Sequence, residues 1–171
     1  MGSGPRSQER ITRRDLAKLA AIAAADREAR FARKPRWRPY ADRILCVALC
    51  QGAALHYVDG VNGINDFDVY TFYAEHRVGQ FPARWLLNAD FGPSRFGRNA
   101  EYDHGYEGRR IDLIGRSLKA KPNADPIKVL RAYLQVGQTE TARCLARKAV
   151  VLIDPEPLRG RVVWPRRLGE T

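Results

Sequence analysis

Asp66-Phe67-Asp68-Val69 sets two carboxylates two residues apart in an apolar, β-branched run, and no other stretch constrains the fold as strongly. Residues i and i+2 of a strand face the same way. A strand over 64–73 therefore lays both acids side by side while Phe67 and Val69 enter the core. Two anions this close repel unless a positive charge stands between them, and a hard divalent cation such as Mg²⁺ is the usual solution. Asp112, in Arg110-Ile111-Asp112-Leu113-Ile114, is a third acid embedded in strand-like apolar residues. Upstream, Gly52-Ala53 ends the apolar run Ile44 to Leu49, and the acid pair follows within a short connection.

The elements around these motifs read as an α/β chain. Thr12 with Asp15 three residues later forms a capping-box variant, opening an Ala-rich helix that runs through about Phe31. Arg30, Arg33 and Lys34 suit the negative end of its dipole, and Pro35 and Pro39 break it. Trp37 between them reads as the anchor of a loop, in preference to a base-stacking platform. Strands are expected over 43–49, 64–73 and 109–116, with a helical turn over 52–57. His56 in that turn reads as a packed histidine. A short helix is expected over 84–87. The segment 88–108, rich in Gly, Asp, Asn and Arg, is long for a connection and is either functional or mobile. Its arginines, Arg95 and Arg98, and Arg109 and Arg110 at its end, are either ligands for a triphosphate or acceptor phosphate, or solvated loop residues. Asp103-His104 has no support beyond adjacency. Asp125 with Pro126 opens a further helix that Gly137 ends. A second helix is expected from about Thr139 to Leu152, and Val162-Val163-Trp164 as a last edge strand. Residues 1–10 read as a disordered arm and 11–171 as one domain, with a core over 43–117 and C-terminal helices over 124–153.

Apolar strand, small-residue turn, short connection, Asp-apolar-Asp, then apolar-Asp-apolar is an ordered pattern. It resembles the nucleotidyltransferase superfamily that includes DNA polymerase beta, kanamycin nucleotidyltransferase and the minimal nucleotidyltransferases. The resemblance covers roughly residues 43 to 117. It implies a small mixed sheet carrying three carboxylates, flanked by an N-terminal helix and a C-terminal helical pair. It further implies Mg²⁺ or Mn²⁺ held by Asp66, Asp68 and Asp112, an NTP as substrate, and Gly52 and Ala53 in the turn facing its phosphates. Arg95, Arg98 and Arg110 are the expected phosphate ligands. Ala53 departs from the pattern, because the family's turn carries Gly-Ser or Gly-Gly and alanine supplies no hydroxyl. Backbone N–H groups can still cradle phosphate there.

The expected activity is metal-dependent transfer of NMP from an NTP to an acceptor hydroxyl on RNA, a protein or a small molecule. The alternative is a non-catalytic module of the same fold, antitoxin-like or regulatory, binding RNA or a partner protein. A metal-dependent nuclease is disfavoured, since no acid is followed by Glu-x-Lys on a neighbouring strand. The net charge of +11 implies a polyanionic partner such as RNA. No apolar run approaches a membrane span and no signal peptide is visible. Three cysteines, Cys46, Cys50 and Cys144, are an odd number without zinc-like spacing. They read as free thiols of a cytoplasmic protein.

Overall fold

The computed structural model describes residues 6–81, 87–99 and 105–166. Helix α1 spans Arg13–Arg33, β1 Ile44–Cys50, α2 Gln51–Asp59, β2 Phe67–Ala74 and β3 Leu87–Asp90. Then follow β4 Arg110–Leu118, α3 Pro126–Val136, α4 Glu140–Ala146, β5 Val150–Asp154 and β6 Val162–Trp164. The six strands form one mixed sheet in the order β3-β4-β2-β1-β5-β6. β2 and β4 run parallel, and the other neighbours are antiparallel. The architecture is the expected α/β fold with a small mixed sheet.

Local chemistry explains most boundaries. Thr12 and Asp15 close a reciprocal capping box: the Thr12 N–H donates to Asp15 Oδ2 at 2.7 Å and the Asp15 N–H donates to Thr12 Oγ1 at 3.3 Å. Asp125 accepts from the Ile127 N–H at 2.9 Å at the start of α3, where Pro126 has no N–H to leave unpaired. Gly137 ends that helix in the left-handed conformation. A 3-10 turn over Pro35–Tyr40 follows α1. Trp37, half-buried, packs there with Tyr40 and Phe81, which is the anchoring role expected of it.

Each face of the sheet carries its own core. Val47, Leu49, Phe67, Val69, Ile111 and Val151 face α1 and α2, where Leu16, Leu19 and Ala54 complete the packing. Cys46, Ala48, Cys50, Tyr70, Phe72 and Leu152 face α3 and α4, against Leu130, Leu134 and Leu145. Cys46 and Cys50 are free and buried, and burial raises both thiols well above their usual range.

Four expectations are corrected. The helix expected over 139–152 stops at Ala146, and Val150–Asp154 is strand β5, paired with β1. The strand expected from residue 64 begins at Phe67, so Asp66 lies just before it. Ile64 instead pairs with Ser7 in an isolated antiparallel bridge. That bridge ties down residues 6–10 of the segment read as a disordered arm; residues 1–5 lie outside the described residues. Leu87, expected at the end of a short helix, opens β3; residues 84–86 and the pair Asp103-His104 lie outside the described residues. Among the described residues no helix is long and apolar enough to cross a membrane.

Candidate metal and phosphate site

The site is built by strand register. Val150, Cys50, Asp68, Asp112 and Asn88 are successive partners across β5, β1, β2, β4 and β3. Residues paired in this way point to one face of a sheet, with Cβ atoms about 5 Å apart. The row starts in the α3/α4 core at Val150 and Cys50 and becomes charged at the half-buried Asp68 and Asp112. Asp68 and Asp112 are thus held side by side, and Asp66 approaches from the loop before β2.

Arg110 neutralises two of the three acids. Its Nη2 donates to Asp66 Oδ2 at 3.1 Å, and its Nε stands 3.0 Å from Asp112 Oδ1. The positive charge that the acid cluster demands is therefore present in the chain as a guanidinium. Asp68 is left out: among the described residues nothing donates a hydrogen bond to its carboxylate. Burial, then the negative charges of Asp66 and Asp112, raise its carboxyl to about 7, against weaker opposing effects of Arg110 and Lys148.

The second wall is the β1–α2 turn. Gln51, the first residue of α2, takes φ of 60°, a left-handed conformation that is strained for a residue with a side chain and is concentrated at functional turns. Its side-chain Nε2 contacts Cys144 Sγ at 3.3 Å. Gly52 and Ala53 follow and, with Asp66 and Asp68, line a cleft of about 270 Å³. Arg6 and Lys148 line the same cleft, and Lys148 Nζ lies 3.9 Å from the point where a Cβ on Gly52 would stand. The cleft is thus lined by carboxylates, two cations and the opening turn of α2. That combination accepts phosphate and, on the carboxylate side, a hard cation.

His56 fixes the entrance. It is buried, its Nδ1 accepts the Gly63 N–H at 3.0 Å, and its Nε2 lies 3.0 Å from the Glu9 carbonyl oxygen. The ring therefore carries its proton on Nε2 and ties α2 to both the 61–65 loop and the N-terminal segment that brings Arg6 to the cleft. This is the packed histidine expected from the sequence.

The structure brings together Asp66, Asp68, Asp112, Gly52, Ala53 and Arg110. It commits Arg95 and Arg98 elsewhere. Arg95 pairs with Asp15 and Glu9 and holds the N-terminal segment against α1, while Arg98 donates to the Tyr106 carbonyl at 3.3 Å within its own loop. Arg109 is buried and structural, donating to the Phe96 and Asn65 carbonyls. Sequence reasoning missed Arg6 and Lys148. Arg6 sits in the segment read as disordered, and Lys148 in the segment read as helix.

The donor set suits a hard divalent ion, and the unpartnered Asp68 carboxylate is the strongest mark of it. As arranged here, with Arg110 between Asp66 and Asp112, no three metal-ligating side chains are gathered into a cage among the described residues. An ion entering this site has to replace the guanidinium between those two acids. No family model, no curated protein and no solved structure matches the chain.

Proposed function

We propose that this chain is a metal-dependent nucleotidyltransferase that moves NMP from an NTP to an acceptor hydroxyl. The observation that carries the reading is the adjacency of Asp68 and Asp112 on one face of two parallel strands, with the Gly52 turn and its cleft beside them. The order of strand, glycine turn, helix, Asp-x-Asp strand and later Asp strand agrees with the resemblance noted in the sequence.

In this reading the backbone of Gly52 and Ala53, with Lys148 and Arg6, holds the triphosphate in the cleft. The acceptor oxygen attacks the α-phosphorus, the bond from that phosphorus to the bridging oxygen breaks, and pyrophosphate leaves. Asp112, on the open side of the row, takes the hydroxyl proton. Mg²⁺ or Mn²⁺, when held by Asp66, Asp68 and Asp112, supplies Lewis-acid stabilisation of the phosphoryl charge. Lys148 and Arg6 neutralise charge on the departing pyrophosphate.

Two observations favour a second reading, a non-catalytic binding module: Arg110 already sits between two of the acids, and Ala53 has no hydroxyl. There Arg110 is the resident cation and the cleft holds phosphate groups without metal.

Calorimetric titration with Mg²⁺ or Mn²⁺ separates the readings. With burial and two neighbouring acids raising the Asp68 carboxyl to about 7, ion binding near neutral pH should release protons, seen as a heat that depends on the buffer's ionisation enthalpy. Asp68→Asn should bind weakly and release none, and Arg110→Ala should bind at least as tightly as wild type. Absence of any saturable heat in wild type and in Arg110→Ala would leave the module reading standing and remove the transferase.

A further inference from the structure

The carboxylate face continues away from the rim. Four residues along β4 from Asp112, about 13 Å at the rise of a strand, Arg116 stands on the same face. It is the register partner of Phe72, and its Nη2 donates to Thr141 Oγ1 on α4 at 2.5 Å. Among the described residues no carboxylate lies within ion-pair distance of it, and its buried Nε has no acceptor. A half-buried guanidinium with an unused donor is a group whose anion the described residues do not supply. Tyr70 lies between Asp68 and Arg116 on this face, close enough to feel both charges. Its ring is buried, and among the described residues its hydroxyl has no hydrogen-bond partner.

Beyond Arg116 a groove of about 670 Å³ opens between the end of β4 and α3. Leu118, Val129 and Tyr133 give it an apolar and aromatic floor, and Val136, 63% exposed, extends that floor outward. Lys119 and Lys128 stand on its rim. The exposed side-chain amides of Gln80 and Gln138 also line it and make no hydrogen bond within the described residues, and one exposed carboxylate, Glu75, stands among the lining residues against the two lysines.

We infer that the strip from Asp112 over Tyr70 and Arg116 into this groove is the acceptor channel, and that it takes the 3′ end of single-stranded RNA. The placing of the 3′-hydroxyl beside Asp112 rests on the transferase reading; the binding does not. Arg116 presents a planar fork to a backbone phosphate. Tyr133 and the apolar floor suit a splayed base, and the two lysines follow the backbone. The free amides supply donors and acceptors for base edges and 2′-hydroxyls, the group that separates RNA from DNA. A groove with α3 on one side and the end of β4 on the other receives an unpaired strand, whose bases can turn toward the floor.

The test is fluorescence anisotropy of the full chain with a short unstructured RNA labelled at its 5′ end, without NTP or divalent ion. Arg116→Ala should weaken binding about tenfold and lower the slope of log affinity against log salt by about 0.7, the value for one phosphate contact on a single strand. The exposed pair Lys119→Ala/Lys128→Ala, which leaves the core untouched, should lower the slope by about twice that. Arg14→Ala, an exposed cation on α1 against the opposite face of the sheet, should change neither. DNA of the same sequence should bind more weakly, and polyglutamate should not compete. Unchanged binding in both groove variants, an equal loss in Arg14→Ala, equal affinity for DNA, or full competition by polyglutamate would each overturn the assignment. RNA that binds through the groove yet accepts no label from NTP refutes the transferase reading and leaves the channel. Label passing to another acceptor, with no RNA binding, does the reverse.

Discussion

Asp68 is the residue on which the account turns. Burial and two neighbouring acids raise its carboxyl from 3.8 to about 7, so the folded chain holds a proton that the unfolded chain has already released. Stability therefore falls as pH rises through that window, and the loss is complete above the folded value. Asp68→Asn removes the titration. The variant should match wild type near the lower end of the window and exceed it by ~1–3 kcal/mol at about pH 8 in metal-free buffer. Chemical denaturation across that pH range measures the difference. A wild type whose stability is flat over the window, or a destabilised Asp68→Asn at high pH, would show that Asp68 is ionised in the folded chain and held there by a partner. At this scale the acid trio was legible because Asp is depleted in strands and three such residues in apolar runs need a reason. Arg110 was legible only as a candidate phosphate ligand: its place between Asp66 and Asp112 depends on a parallel pairing of residues 44 apart in sequence, which no local pattern encodes.

Among the elements, those with local signals were readable and those defined by distant partners were not. The capping box at Thr12, the Asp125-Pro126 start and the Gly137 stop fix α1 and α3 from a few residues each. Strands β1, β2 and β4 announce themselves through apolar, β-branched runs. β5 does not. Ala149-Val150-Val151-Leu152-Ile153 is buried on both faces, so it shows no alternation, and a continuous apolar run following a helix start reads equally as more helix. Misreading it hid Lys148, which the turn before β5 delivers to the cleft. β3 has four residues, Leu87–Asp90, none of them β-branched, and exists because β4 offers an open edge. Gly115 is a second element-level device. It lies in the middle of β4, and a side-chain carbon there would run into the ring of Phe81, which stacks on Tyr73 with ring centroids 4.4 Å apart. Gly115→Ala should destabilise the chain by ~1–3 kcal/mol through overpacking, although alanine is otherwise favoured over glycine in a strand. Thermal melts decide this; an unchanged or raised midpoint would mean that Phe81 does not need that space.

For the molecule as a whole, the two faces of one sheet divide the work. The α1/α2 face builds a continuous core and fixes the β1–α2 turn, so the Gly52 backbone is held by packing. The α3/α4 face carries the second core, and its half-buried margin holds Asp68, Asp112 and Arg116. The excess of 30 Lys and Arg over 19 Asp and Glu was readable as an anion-seeking surface, but the place of Arg116 on the same face as Asp112 emerges only once β4 is known to be a strand over Arg110–Leu118. The most direct measurement of the central claim is transfer of label from α-phosphate-labelled NTP, supplied with Mg²⁺ or Mn²⁺, to acceptors in a lysate and to purified RNA. Wild type should label an acceptor in a chelator-sensitive way and release pyrophosphate in equal amount, while folded Asp68→Asn does neither. Wild-type protein that labels nothing with any of the four nucleotides, or label transfer that survives in Asp68→Asn, would contradict the account.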